Sequence, residues 1–180
     1  MTSPLFLNVA PAAGFDEPFE MLRACHERVE RMLGLLERLA AHLATQGADA
    51  EAAQAARDVM RYFDLAGPAH HEDEERHVFP ALLAQGDKAL RAVVGQLQQD
   101  HHAMSAAWAA VRADLVQVAA ARGAVGIEFQ AAGRWAAFAA LYRRHIVAEE
   151  TEVYPAARQR LDATARVAMG REMAARRGVV

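Results

Sequence analysis

Four histidines and two glutamates recur in this chain at one spacing. His26 and His101, His70 and His145, and Glu74 and Glu149 each stand 75 residues apart (26 to 101, 70 to 145, 74 to 149). Glutamate four residues after histidine places both side chains on one helical face, about 40° apart. Two such pairs, with two further histidines at the same height, form a four-His, two-Glu set. Such a set converges on the interior of an antiparallel helical bundle, where bundles build metal sites. Buried carboxylates are costly unless paired or metal-bound. A pair of divalent ions bridged by both glutamates meets that demand. Imidazole suits iron, zinc or copper, and bridging carboxylate favours harder ions such as iron or manganese, so a di-iron centre is the expected cofactor. Taken singly, His26 or His101 reads as an ordinary buried histidine, and Glu74 or Glu149 as a solvated charge. Their shared register is what argues for ligands.

The elements that must hold these residues follow from the same repeat. Phe19, Leu22, Val29, Leu33, Leu36, Ala40 and Leu43 form a helical apolar stripe in which His26 fills the one gap. Val94, Leu97, Met104, Trp108, Val111, Leu115 and Val118 form a second, with His101 in the same gap. Phe63 and Phe138, Glu75 and Glu150, and Phe79-Pro80 and Tyr154-Pro155 keep the offset, so two similar hairpins of about 75 residues are the organising unit. The midpoint of His26 and His70 falls beside Gly47, that of His101 and His145 at Gly123, and that of His70 and His101 at Gln85-Gly86. Glycine near each midpoint is what short reversals between antiparallel helices need.

The reading is therefore all-α: an antiparallel up-down four-helix bundle with a short C-terminal helix. Helices are expected over about 17–46, 50–84, 88–122, 127–158 and 162–177. Residues 1–16 form an N-terminal extension, 17–158 the bundle and 159–180 the C-terminal helix and tail. Gly67-Pro68 is expected to kink or break the second helix, because proline lacks a donor and clashes with the preceding turn.

His26, the segment His70-His-Glu-Asp-Glu-Glu-Arg-His-Val-Phe-Pro80, His101, and His145-Ile-Val-Ala-Glu-Glu-Thr-Glu-Val-Tyr-Pro155 resemble the hemerythrin-like HHE cation-binding family over roughly residues 17–158. The resemblance implies a non-haem centre of two iron ions, oxo- or hydroxo-bridged. His26 and His70 would hold one ion, His101 and His145 the other, with Glu74 and Glu149 bridging. It also implies binding of, or reaction with, a small diatomic ligand (dioxygen, nitric oxide or peroxide) in redox sensing, stress response or iron handling. The alternative is a structural metal-binding bundle acting as a protein-interaction module without catalysis. Oxygen carriers of this family add a histidine one turn before the His101 position, where this chain has Leu97. Two histidines and two bridging oxygens per ion then make the ions nearly equivalent, each with room for a ligand.

Composition narrows the rest. Twenty Lys and Arg against twenty-three Asp and Glu leave no basic surplus for nucleic acid. No apolar run approaches the roughly 20 residues of a membrane span. Met1 to Phe15 carries no basic residue, unlike a signal peptide. A cytoplasmic protein is expected, with room for a protein partner or homodimer. Cys25 is the only cysteine and reads as a packing residue, as does Tyr142. His42, His71 and His102 fall outside the repeat, opposite Gln117, Ile146 and Glu27, and read as surface or rim residues. His71/Glu75 offers a second His-Glu pair, but Ile146 cannot ligate, so the repeat selects His70/Glu74. Glu75 and Glu150 are partners of the ligands or are solvated. His77 and Glu152, equivalent in the repeat, are expected to pair or to tilt to the rim. Arg166, Arg171, Arg176 and Arg177 read as a solvated face.

Overall fold

A computed structural model of the chain describes residues 14–121 and 129–179. Its elements are helical: α1 (Pro18–Thr45), α2 (Ala50–Asp73), a π turn (Glu74–Val78), α3 (Phe79–Gln85), α4 (Lys88–Ala120), α5 (Phe129–Ala148), a second π turn (Glu149–Val153), α6 (Tyr154–Arg160) and α7 (Ala163–Arg176). α2 and α3 run as one rod through the first π turn, and α5 and α6 as one through the second. With α1 and α4 these rods make the expected four-helix bundle, α1 and α4 each packing on both α2 and α5. The turn expected at Gly123 lies outside the described residues.

Local chemistry explains the boundaries. Asp49, Asp87 and Asp162 cap α2, α4 and α7 by accepting from the amides of Ala52, Leu90 and Ala165. Gly47 takes φ 76° in the reversal between α1 and α2, a conformation glycine adopts without strain. The expected break at Gly67-Pro68 is absent, and α2 continues through Pro68 to Asp73. Packing on α1 and α4 outweighs one lost donor.

The π turns, which helical periodicity does not reveal, begin on Glu74 and Glu149. The Phe79 and Tyr154 amides donate five residues back, to Glu74 O and Glu149 O. The wider turn sits just ahead of Pro80 and Pro155, which have no amide to donate and would crowd a regular helix. π turns cluster at functional sites because they re-aim side chains.

The apolar stripes close two cores, one on each side of the repeated His and Glu residues. One gathers Leu33, Leu36, Phe63, Val111, Leu115 and Phe138, toward the α1–α2 reversal. The other gathers Leu22, Phe79, Leu82, Leu97, Tyr154 and Met173, toward the α3–α4 reversal. Ala40 and Trp108 are only half-buried, and Leu39 takes the inward place beside Ala40. α7 covers the second core, and Gly170 lets the Phe15 backbone cross it where a Cβ would collide with the Phe15 carbonyl.

Arg166 and Arg171 are exposed as expected, but Arg176 and Arg177 correct the expectation of a solvated face. Arg176 and Arg177 reach Asp73, which is fully buried, and Arg177 does so at 2.6 Å. His77 and Glu152 do not pair: Glu152 tilts out and is exposed, the other outcome expected of the two, while half-buried His77 bonds Glu172 of α7 at 2.6 Å. A fifth helix lying on the π turn supplies the carboxylate that the repeat would have drawn from within the bundle.

Candidate metal centre

Six side chains from four rods meet between the two cores. His26 comes from α1, His70 from α2, Glu74 from the first π turn, His101 from α4, His145 from α5 and Glu149 from the second π turn. All six are buried, both glutamates completely. Donor atoms of His26, His70, Glu74 and Glu149 lie within 4.8 Å of one another, as do those of Glu74, His101, His145 and Glu149. The two sets share both glutamates, and either could hold a metal ion.

Each histidine turns Nε2 inward. His26 Nε2 is 2.9 Å from His70 Nε2 and 3.2 Å from Glu149, while His101 Nε2 is 3.1 Å from His145 Nε2 and 3.4 Å from Glu74. Glu74 Oε2 and both oxygens of Glu149 are met by imidazole nitrogens at 2.9–3.4 Å, without the geometry of a good hydrogen bond. Buried carboxylate oxygens are normally satisfied. Three such oxygens with four imidazole nitrogens turned on them fit a cation bound between them.

The outer ring nitrogens find carboxylates. His26 Nδ1 donates to Glu150 at 2.9 Å and His101 Nδ1 to Glu75 at 3.0 Å, so these glutamates are partners of the ligand histidines. A carboxylate on Nδ1 fixes the tautomer and leaves Nε2 free to ligate. Asp100 stands 3.6 Å from His145 Nδ1 and is itself held by Gln96 at 2.9 Å. Sequence reasoning missed Asp100, because its repeat equivalent is Cys25. His70 Nδ1 has no partner among the described residues.

The electrostatics match a site that awaits positive charge. Burial drives the His70 pKa down to about 3 against the pull of Glu74, and it lowers that of His145. Burial also opposes charge on His26, but Glu149, Glu74 and Glu150 outweigh it and raise that pKa. Burial and the Glu74 charge push Glu149 well above the usual carboxylate range. For Glu74 burial is overcome by His70 and His101, and its pKa falls well below that range.

Tyr154 is a further neighbour that periodicity did not single out. Its hydroxyl donates to Glu74 and lies 3.2 Å from His26 Nε2, and burial keeps the phenol protonated. Phe79 takes the equivalent place beside His101, with ring centroids 5.5 Å apart. Tyr142 packs in the core against Phe63 and Phe138, as expected. Cys25 is half-buried, and burial raises its thiol pKa, in keeping with packing.

Of the three histidines outside the repeat, His42 pairs with Asp49 at 3.0 Å beside the α1–α2 reversal, and His102 is exposed. His71 takes the rim position expected of it, but not as an isolated side chain. It is half-buried at the rim, and its ring stacks on His101 with centroids 4.0 Å apart and planes 13° apart. A cleft of about 710 Å³ opens between α2 and α4 and ends on these two rings.

A helical bundle whose core carries two histidine–glutamate sets sharing their carboxylates defines a class of cation-binding protein. The Hemerythrin HHE cation binding domain matches residues 17–157, and the chain belongs to that family. It is also 30% identical over 167 residues to an uncharacterized protein of Haemophilus influenzae, across 93% of this chain and 94% of that one. No helix among the described residues is long and apolar enough to cross a membrane.

Proposed function

We propose that this is a non-haem di-iron protein that binds or reacts with a small diatomic ligand (dioxygen, nitric oxide or peroxide) in redox sensing, stress response or iron handling. In this reading His26 and His70 would hold one ion and His101 and His145 the other, with Glu74 and Glu149 shared between the two. The observation that carries it is the pair of donor sets sharing two fully buried glutamates. Bound together, two ferrous ions supply electrons and open coordination positions to such a ligand.

The chain's own residues perform the supporting work. Glu150 and Glu75 orient His26 and His101 so that Nε2 points inward. Tyr154 keeps its proton and holds Glu74 in place. Leu22, Leu97, Phe79 and Val153, all buried, keep bulk water from one side of the centre. Leu97 supplies no imidazole where oxygen carriers of the family have one, which favours reaction or sensing over reversible storage.

The test is metal analysis and optical spectroscopy of protein purified without oxygen and then exposed to it. Two irons per chain, an azide-sensitive absorption band and rapid conversion to a stable diferric form are expected. A zinc-filled or metal-free bundle refutes the di-iron reading. An oxygen adduct that lasts many minutes and reverses under argon refutes the preference for reactivity over storage.

A further inference from the structure

Two seams of the bundle flank the centre, and equivalent places in the repeat close them differently. On the α1–α5 side, Arg143 reaches Glu30 at 3.2 Å and Glu37 at 2.5 Å, and Glu20 of α1 receives Arg158 of α6 at 2.6 Å. The counterparts of Arg143, Glu30 and Glu20, each 75 residues away, are Pro68, Ser105 and Gly95 (143 to 68, 30 to 105, 20 to 95). None of these three carries a charge, and all three line the cleft of about 710 Å³ between α2 and α4. That seam is open where ion pairs close its twin, and the opening ends on His71 and His101.

Gly95 is the telling member. It lies inside α4, where glycine costs about 1 kcal/mol relative to alanine. Its φ is not positive, and a Cβ there would meet nothing within 4 Å. Neither backbone conformation nor a close neighbour calls for glycine, and what it leaves is open space in the cleft. The walls suit a cation. They carry carboxylate, imidazole and carboxamide groups and neither lysine nor arginine. Glu72 is answered by Arg76 and Arg176. Glu75 accepts from Gln98 and from His101 Nδ1, and it meets no lysine or arginine among the described residues. A carboxylate so placed draws cations inward and disfavours anions. Six waters around a divalent ion occupy about 180 Å³ at about 30 Å³ each, so a hydrated ion fits the cleft with room to shed them.

We propose that the α2–α4 cleft is the port through which a hydrated divalent cation enters and leaves the centre, reaching the His101 side first. Pro68, Gly95 and Ser105 keep the port open, and Glu75 at its inner end attracts the ion. This rests on the reading that the centre holds metal and adds the route by which metal arrives.

The test is anaerobic stopped-flow mixing of the full-length metal-free protein with cobalt(II). Visible absorption follows uptake, and then removal once a chelator is added. Gly95→Phe and Ser105→Leu each fill part of the cleft. Each is expected to slow uptake and removal by a common factor of about ten or more, because a blocked route hinders entry and exit alike and leaves the equilibrium affinity unchanged. Gly95→Ala is too short to fill the cleft, and Gly133→Phe stands at an exposed place on α5 where a Cβ meets nothing within 4 Å. Both are expected to load at the wild-type rate. Wild-type rates in Gly95→Phe or Ser105→Leu protein that still binds its metal overturn the port, and either variant decides the matter if the other does not fold. Slow uptake matched by an equal loss of affinity, with removal unchanged, also overturns it, since that marks a damaged site and not a blocked route. Wild-type protein that takes up fewer than two cobalt ions overturns the two-ion reading, and the port then stands or falls on the rates alone.

Discussion

The hairpin of α1–α3 and the hairpin of α4–α6 each contribute two histidines and a glutamate to the candidate centre and surround them differently. Glu150 on His26 and Glu75 on His101 repeat faithfully. Other equivalent places do not. Tyr154 brings a hydroxyl to the His26 side, where Phe79 stacks a purely hydrocarbon ring on His101. Asp100 stands behind His145, while its counterpart Cys25 gives His70 Nδ1 no carboxylate. Asp73, whose counterpart is Ala148, ties the first hairpin to α7. The repeat thus sets which atoms can bind metal, and the divergent neighbours set how each half is held, wetted and poised.

Removing a ligand from either half should have the largest effect and tests whether the halves are separable. His70→Ala is expected to lose about half or more of the bound metal, and His145→Ala the same, by elemental analysis of anaerobically loaded protein. Retention of two ions in either variant breaks the assignment of histidines to ions.

The α7 clasp belongs to the first hairpin alone. Replacing Arg176 and Arg177 together by Ala strands Asp73 in the interior. Because both guanidiniums are partly exposed, the expected loss is about 2–3 kcal/mol, at or below the usual cost of stripping a buried charge of its partner. Urea unfolding measures it, and a loss under about 0.5 kcal/mol, the scale of an ordinary surface change, would show that α7 does not anchor that hairpin.

The bridging glutamates sharpen the comparison through pH. A carboxyl raised by folding contributes stability below its unfolded pKa and loses it as pH climbs through the folded value. Glu149 is raised, chiefly by burial. Glu149→Gln should therefore stabilise the metal-free protein by up to about 1.4 kcal/mol per pH unit above the ordinary glutamate range while it abolishes paired metal binding. Urea melts in chelator at pH 5 and pH 8 check the trend, and a gain that shrinks with rising pH contradicts it.

Tyr154→Phe makes the first half resemble the second. It removes one hydrogen bond from buried Glu74, so a loss of about 1–2 kcal/mol is expected in the metal-free protein. Thermal unfolding in chelator measures this, and no change would mean that Glu74 is held adequately without the phenol.

Much of this was legible in the chain, for a physical reason: ligand type, helical period and repeat offset are all local or translational features. They locate His26, His70, Glu74, His101, His145 and Glu149, the bundle, and Gly47 at a reversal. Features that depend on neighbours far away in sequence were not legible. His71 lies opposite an isoleucine in the repeat, and only the packing of α2 on α4 stacks it on His101. Asp73 reads as one acidic residue in an acidic run until α7 folds back with two arginines.

The π turns lie between these cases. Proline stands two residues beyond each, yet proline alone forecasts a break as readily as a wider turn, and Pro68 produces neither. The sequence by itself determined the candidate ligands, their height in the bundle and the two-fold plan, because these follow from residue identity and from about 1.5 Å of rise per residue. Only the tertiary structure decided which backbone amides the π turns would redirect, which outer histidine nitrogens would meet a carboxylate, and where the cleft would open. Those outcomes depend on burial and on contacts between separate rods, which no local pattern encodes.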